Sequence, residues 1–294
     1  MNNEELVKLE SILGILDRKI TDLGEIKQKL DDFKKEIDEV YEKECSFRKL
    51  LSTCKKHNER LLLFFEGSEE TEALKLIDEE LDKIDSNYKQ KQQFFEETLA
   101  SKGEFSEDKL DKYSREITEF LSPAIERLDT LAYEHESIFN KAKKEINEKI
   151  NVLNRLLNTL LKKVEELPHG SKLKEFIDEE QNRLQEILTS IPSELEEIDK
   201  KDKNLIQGAY TKVKNDISEH RGEIRRFAVD NNLLSEDEAI LLETVYEIQG
   251  REFEFTEVIS ILKEKLPFGD EEKIQKLMLE LSKKGFILLK VITE

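Results

Sequence analysis

Between residues 3 and 66, apolar side chains recur at alternating steps of three and four. They run Leu9, Ile12, Leu16, then Leu23, Ile26, Leu30, Phe33, Ile37 and Val40, then Phe47, Leu51 and Cys54, then Leu61 and Phe65. Only Lys19, Glu44 and Asn58 interrupt the register. A sustained 3.5-residue period keeps one seam of a helix facing a partner helix, which is the pattern of a coiled coil. At the usual rise per residue this helix would be roughly 95 Å long. A lone helix of that length cannot bury its stripe. Either an antiparallel return of the same chain or a second copy, as in a homodimer, has to supply the facing seam. The polar seam residues Glu44 and Asn58 are read as register-setting positions rather than catalytic groups.

Gly67-Ser68 combines a helix stop with the next N-cap. A second helix is expected over about 69–100, with Leu74, Ile77, Leu81, Ile84, Tyr88 and Phe95 in register. Ser101-Lys102-Gly103 breaks it, and Ser106 can cap a third. Ser122-Pro123 has the order of a fresh helix start. The spacing therefore predicts a short helix over 107–121 and a longer one over 123–166, with heptads from Leu128 through His135 and Phe139 to Val164. Leu167 to Ser171 reads as a turn, followed by a helix over about 172–190 that stops before Pro192. Ser193 with Glu196 forms a capping-box pattern opening one further helix to Asp230. Breaks near 67, 103, 122, 169 and 192 joined by short turns favour antiparallel neighbours. Residues 1–230 are thus expected to form a long-helix coiled-coil or bundle domain, in an all-α, elongated architecture.

From residue 233 the texture changes. Ser235 with Glu238 opens a helix to about Gln249, and Gly250 ends it. Glu252 to Thr256 alternates polar and apolar, which predicts a short strand. Thr256 caps a helix carrying Ile259 and Leu262, Pro267-Phe268-Gly269 turns, and Asp270 caps a helix through Lys284. Phe286 to Thr293 reads as a closing strand. Helix, strand, helix, helix, strand is the winged-helix order, and residues 231–294 resemble that superfamily, roughly a fifth of the chain. The resemblance implies a module that binds DNA through its third helix, binds proteins, or dimerises. Phe286 to Thr293 contains no turn, so a second wing strand, and with it wing contacts to phosphate, is not expected.

Charge changes the choice of ligand. The 294 residues carry a formal charge of -19. Residues 231–294 hold 14 Asp/Glu against 8 Lys/Arg, a net of -6. DNA affinity rests on cations at phosphates, so nucleic acid is disfavoured as a partner. Projection of the last helix with Ile274 and Leu281 inward places Lys276, Leu279 and Lys283 outward, beside Glu272 and Glu280. A mixed face with an exposed leucine suits a protein partner. Arg221, Arg225 and Arg226, just before the module, could form a basic neck, although no aromatics interleave for base stacking. For all of these cations the bland alternative is a solvated, salt-bridged helix face.

Chemical motifs are not found. There is no P-loop, no G-x-G-x-x-G and no G-x-S-x-G. The four histidines (His57, His135, His169, His220) are scattered. His135 falls on a seam and is read as a polar core residue. His220 near Asp216 and Glu223 is a conceivable metal or acid/base cluster, of a kind that a chain with 39% charged residues produces by chance. No catalytic, cofactor-binding or metal-binding residue is assigned, and no cofactor is expected. Cys45 and Cys54 lie nine residues apart on one helix and cannot pair, which suits a reducing cytoplasm. No run of about 18 apolar residues is present, so no membrane span is expected, and the start lacks the pattern of a signal peptide. The favoured expectation is a non-enzymatic scaffold or adaptor whose terminal module docks a protein. The alternatives are a DNA-binding regulator dimerised by its coiled coil and, more weakly, a membrane-shaping bundle.

Overall fold

The computed structural model describes residues 3–100, 107–168, 170–248 and 255–289, with side chains described for 13–94, 97, 112–168, 170–248 and 255–289. Among these residues there are helices and turns and no strand, so the chain is all-α. The helices are α1 (Asn3–Phe64), α2 (Glu70–Ala100), α3 (Glu107–Glu165), α4 (Gly170–Ser190), α5 (Leu195–Lys200), α6 (Lys203–Ile206), α7 (Ala209–Asp230), α8 (Glu236–Glu247), α9 (Phe255–Lys265) and α10 (Glu271–Lys283). The chain divides into two compact units, Met1–Asn58 with Lys75–Glu134, and Glu59–Leu74 with His135–Glu294.

In the first unit α1, α2 and α3 pack as a three-helix bundle. Phe47 of α1 meets Tyr88 of α2 at 4.8 Å between ring centroids and Phe120 of α3 at 5.9 Å. Asn58 pairs with Asp78 and Glu44 with Gln92, so α1 and α2 run antiparallel. The Cys54 thiol donates to the Leu128 carbonyl at 3.5 Å, which places α3 parallel to α1. The α1 seam is therefore met by the chain's own hairpin from Phe47 onward, where Phe47, Leu51 and Cys54 are buried. The polar seam residues find partners there. Fully buried Asn58 donates to Asp78 at 3.0 Å. Burial works to raise the Glu44 carboxyl, but bonds from Tyr88, Arg48 and Gln92 outweigh it and hold the group below the ordinary range.

Two expected breaks are corrected. No helix end occurs at Ser122-Pro123, and α3 runs through it for 59 residues. Proline removes one backbone donor and crowds the preceding turn, which ordinarily kinks or ends a helix. Here Pro123 stands on the exposed side, while Ile117, Leu121, Ala124 and Leu128 on the other side are buried and hold the helix to the core. The second correction concerns residues 193–230, which form α5, α6 and α7 rather than one helix. Asp202 caps α6 by accepting from the Asn204 amide at 2.8 Å. Gly208 then turns the chain at a φ of 62°, a left-handed conformation that favours glycine. Its N–H donates to the Leu63 carbonyl at 2.8 Å, and the Thr211 hydroxyl donates to the Glu66 carbonyl at 2.8 Å. The break thus caps the C-terminal end of α1, whose last carbonyls lack helical partners. At Ser193 the cap partner is Glu197, not Glu196. The break expected near 103 falls in residues 101–106, outside those described.

The second unit centres on rings and on the seam of α3. Phe64, Phe65, Phe139 and Tyr210 cluster, with Phe65 and Tyr210 at 4.8 Å. Leu153, Leu157 and Leu160 of α3, Ile177 and Leu184 of α4, and Ile217 and Ile224 of α7 are buried. His135 is fully buried, as its seam position implies. The helix α7 ends with Asn232 at φ 56°, the Leu233 amide donating to Ala228 and the Asn232 amide to Val229. This is a Schellman motif with asparagine in the left-handed position.

In the terminal part, α8 opens with the Ser235–Glu238 capping box, and α8, α9 and α10 pack on one another. The strands expected there are not seen. Phe255 and Thr256 lie in the first turn of α9, and residues 252–254 fall outside those described. Phe286 to Leu289 is irregular, and 290–293 likewise fall outside. Phe286 is instead spent on ending α10. Its amide donates to Leu281 and that of Gly285 (φ 75°) to Ser282, with the Phe286 ring buried. The closing run of apolar residues thus begins as a helix cap.

The cysteines are free, Cys45 exposed and Cys54 buried. Burial, with Asp129 beside it, pushes the Cys54 thiol up to about 11. Because the thiolate is the nucleophile, a maleimide at neutral pH is expected to modify the native chain once, at Cys45. Both sites should react in urea. Intact-mass spectrometry reads the count, and two fast additions to the folded chain would contradict the burial of Cys54.

Candidate partner-binding surfaces

The residues singled out from the sequence fall on two surfaces of the second unit. On α10, burial of Ile274, Met278 and Leu281 turns the opposite side outward. Lys276, Leu279 and Lys283 are all exposed there, and Leu279 keeps 51% of its accessible surface. Steps of three and four put the three side chains on one face. Just beyond the cap, Leu288 is 80% exposed. The acidic neighbours Glu271 and Glu272 are exposed and Glu280 half-buried, so the face is mixed in charge. The helix is capped at its N-terminus and tied to α8 at its C-terminus. Asp270 accepts from the Glu272 amide at 3.1 Å, and Lys284, at the C-cap, donates to Glu238 of α8 at 2.6 Å. Burial raises the Glu238 carboxyl, and the Lys284 and Ser235 bonds overcome this and hold it below its ordinary value.

The arginines before the module are arranged differently. Arg225 makes a bidentate pair with Glu243 of α8 at 2.7 and 2.5 Å. Arg221 reaches the same carboxylate at 3.3 Å and Glu247 at 3.3 Å. Only 2% of the Glu243 side chain is exposed. The charge of Arg221 and Arg225 is therefore directed at α8, and their chemistry is that of a clamp between α7 and α8. Arg226 is exposed and bonds only along its own helix, to the Gly222 carbonyl at 3.4 Å.

His220 is joined by Glu180 of α4, a residue that spacing along α7 alone could not supply. Nδ1 lies 2.9 Å from Glu180 and 3.5 Å from Glu223, whereas spacing along the helix groups it with Asp216 and Glu223. The three donor groups lie close enough to hold an ion. The guanidinium of Arg183, however, sits 2.8 Å from Glu180 and 3.6 Å from Glu223. It already supplies the countercharge that the buried Glu180 carboxylate needs, so the arrangement is an ion network holding α4 to α7. A second acidic group, Glu69, Glu70 and Glu145, is likewise engaged, since Tyr210, Lys149 and Lys214 approach Glu145.

No described helix is long and apolar enough to cross a membrane. Comparison with protein-family models, curated proteins and solved structures finds no match to this chain.

Proposed function

We propose that this chain is a non-enzymatic scaffold or adaptor whose C-terminal helices, a module of winged-helix-like helix order, dock a protein partner through the outer face of α10. The observation that carries this reading is Leu279, exposed in the middle of a helix capped at its start and tied to α8 at its end, between Lys276 and Lys283. A rigid helix presenting one apolar anchor within a rim of mixed charge suits a protein groove, where buried apolar anchors carry most of the binding energy and charges set orientation. Within the second unit, the α7–α8 clamp and the packing of α8, α9 and α10 hold that face. Duplex DNA is disfavoured because the module is net negative and Glu271 and Glu272 flank its lysines.

The test is affinity capture from a soluble extract with the full chain as bait, run beside Leu279→Glu. A partner retained by the native chain and lost at least tenfold with the glutamate variant is the expected result, since a charge desolvated at an interface centre costs several kcal/mol. Equal capture by both baits would overturn the assignment of this face. Retention of duplex DNA that Lys276→Glu with Lys283→Glu abolishes would replace the protein reading with the nucleic-acid one.

A further inference from the structure

The α1 seam is covered unevenly. From Phe47 onward α2 and α3 bury it, yet Leu16, Leu23, Ile26, Leu30 and Ile37 stand between 46 and 64% exposed. Leu13, Ile15 and Ile20 flank this stripe and are exposed as well. An apolar stripe of this length on a monomer marks an interaction surface. Its helix also contains Gly14 and Gly24, with nothing within 4 Å of a Cβ at either. Glycine in an unsupported helix interior is unfavourable, so this segment draws on packing to stay helical.

We infer that residues 13–37 of α1 pair antiparallel with the same residues of a second copy, with the twofold axis between Leu23 and Ile26. Three features select this occupant. The first is size. The exposed stripe comprises 8 apolar side chains. At on the order of 90 Å² apiece, both copies together bury roughly 1,400 Å², within the range of a specific interface.

The second is the seam. Pairing with the axis between Leu23 and Ile26 sets Leu23 against Ile26 of the other copy and Leu16 against Phe33. It also sets Lys19 against Leu30, where the lysine stem can lie on apolar surface and its ammonium reach water. A parallel, in-register pair would instead press Lys19 against Lys19.

The third is the flanks. In the antiparallel register Asp22 faces Lys29 of the other copy, twice by symmetry, and Ile20 and Leu13 face the stems of Lys27 and Lys34. No like charges meet between residues 13 and 37. The parallel register would set Lys29 against Lys34, also twice. Flanking charges decide partner and orientation in coiled coils. A complementary, self-matching seam is also what a twofold contact requires.

Sedimentation equilibrium of the full chain tests this. The expected species has twice the 34.5 kDa chain mass. Leu23→Glu with Ile26→Glu should give monomer across the same concentrations, with far-UV circular dichroism showing that the bundle is kept. Lys29→Glu separates the orientations. In the antiparallel pair it faces Asp22 and is expected to raise the dimer Kd by about tenfold, and adding Asp22→Lys restores the pair. In a parallel pair Lys29→Glu would meet Lys34 and tighten the dimer, which would overturn the proposed orientation. A native chain that stays monomeric at tens of micromolar, or a dimer unaffected by the double glutamate variant, would overturn the pairing itself.

Discussion

Replacing Glu243 by alanine is expected to destabilise the C-terminal helices by about 3 kcal/mol, because removing one partner of a buried ion pair strands the other. Glu243 is almost fully enclosed and receives both Arg225 and Arg221. The bonds Arg225 donates to Glu243 more than offset its burial and raise its guanidinium above the ordinary value. With the carboxylate gone, the half-buried Arg225 guanidinium remains at the α7–α8 contact without the acceptor that places it, and Arg221 keeps only Glu247. Hydrogen exchange should show the loss in α8, α9 and α10 ahead of the remaining helices of the unit. A paired variant, Arg225→Met with Glu243→Met, distinguishes lost charge pairing from lost packing. Its apolar side chains need no countercharge and Arg221 retains Glu247, so stability is expected to return to within about 1 kcal/mol of the native chain. If Glu243→Ala proves neutral, the clamp is not what holds the module, and α10 is not presented on a rigid mount.

This clamp shows why the sequence was only partly legible. Periodicity placed the helices well where one face met one core. It located the stop at Gly67, the turn before Gly170, the Ser235–Glu238 box and the outward side of α10, because each of these follows from neighbours within a few residues. It missed what is decided across the fold. Arg221 and Arg225 looked like a basic neck because Glu243 lies 18 residues beyond Arg225, past a turn. Glu180 is not apparent beside His220 in the sequence because it belongs to another helix. A signal was present in both cases, since each glutamate sits among buried apolar residues of its own helix. A buried carboxylate requires a cation. The break at Gly208 was invisible for the same reason: it is made where Leu63 and Glu66 offer carbonyls to cap. Pro123 erred in the opposite sense, as a local stop signal overruled by the buried side of α3.

The largest single loss is expected from Phe65→Ala, about 3–5 kcal/mol in urea unfolding. Phe65 is fully buried, perpendicular to Phe64 at 5.0 Å and edge-on to Tyr210 at 4.8 Å. Truncation forfeits the ring's transfer out of water and leaves a cavity that its two aromatic neighbours are too rigid to close. The position also matters for the chain's course. Phe65 accepts at its carbonyl from the Thr71 hydroxyl at 2.7 Å, so the same residue anchors the turn into α2. Phe65→Leu keeps most of the volume and the turn, and is expected to cost less than half as much. Tyr210→Phe removes only a hydroxyl shared between Glu70 and Glu145 at 3.3 Å each, with an expected change of about 1 kcal/mol. The order Phe65→Ala, Phe65→Leu, Tyr210→Phe follows if ring packing dominates this core. A Tyr210→Phe loss as large as that of Phe65→Ala would instead place the stability in the hydroxyl and its two carboxylates.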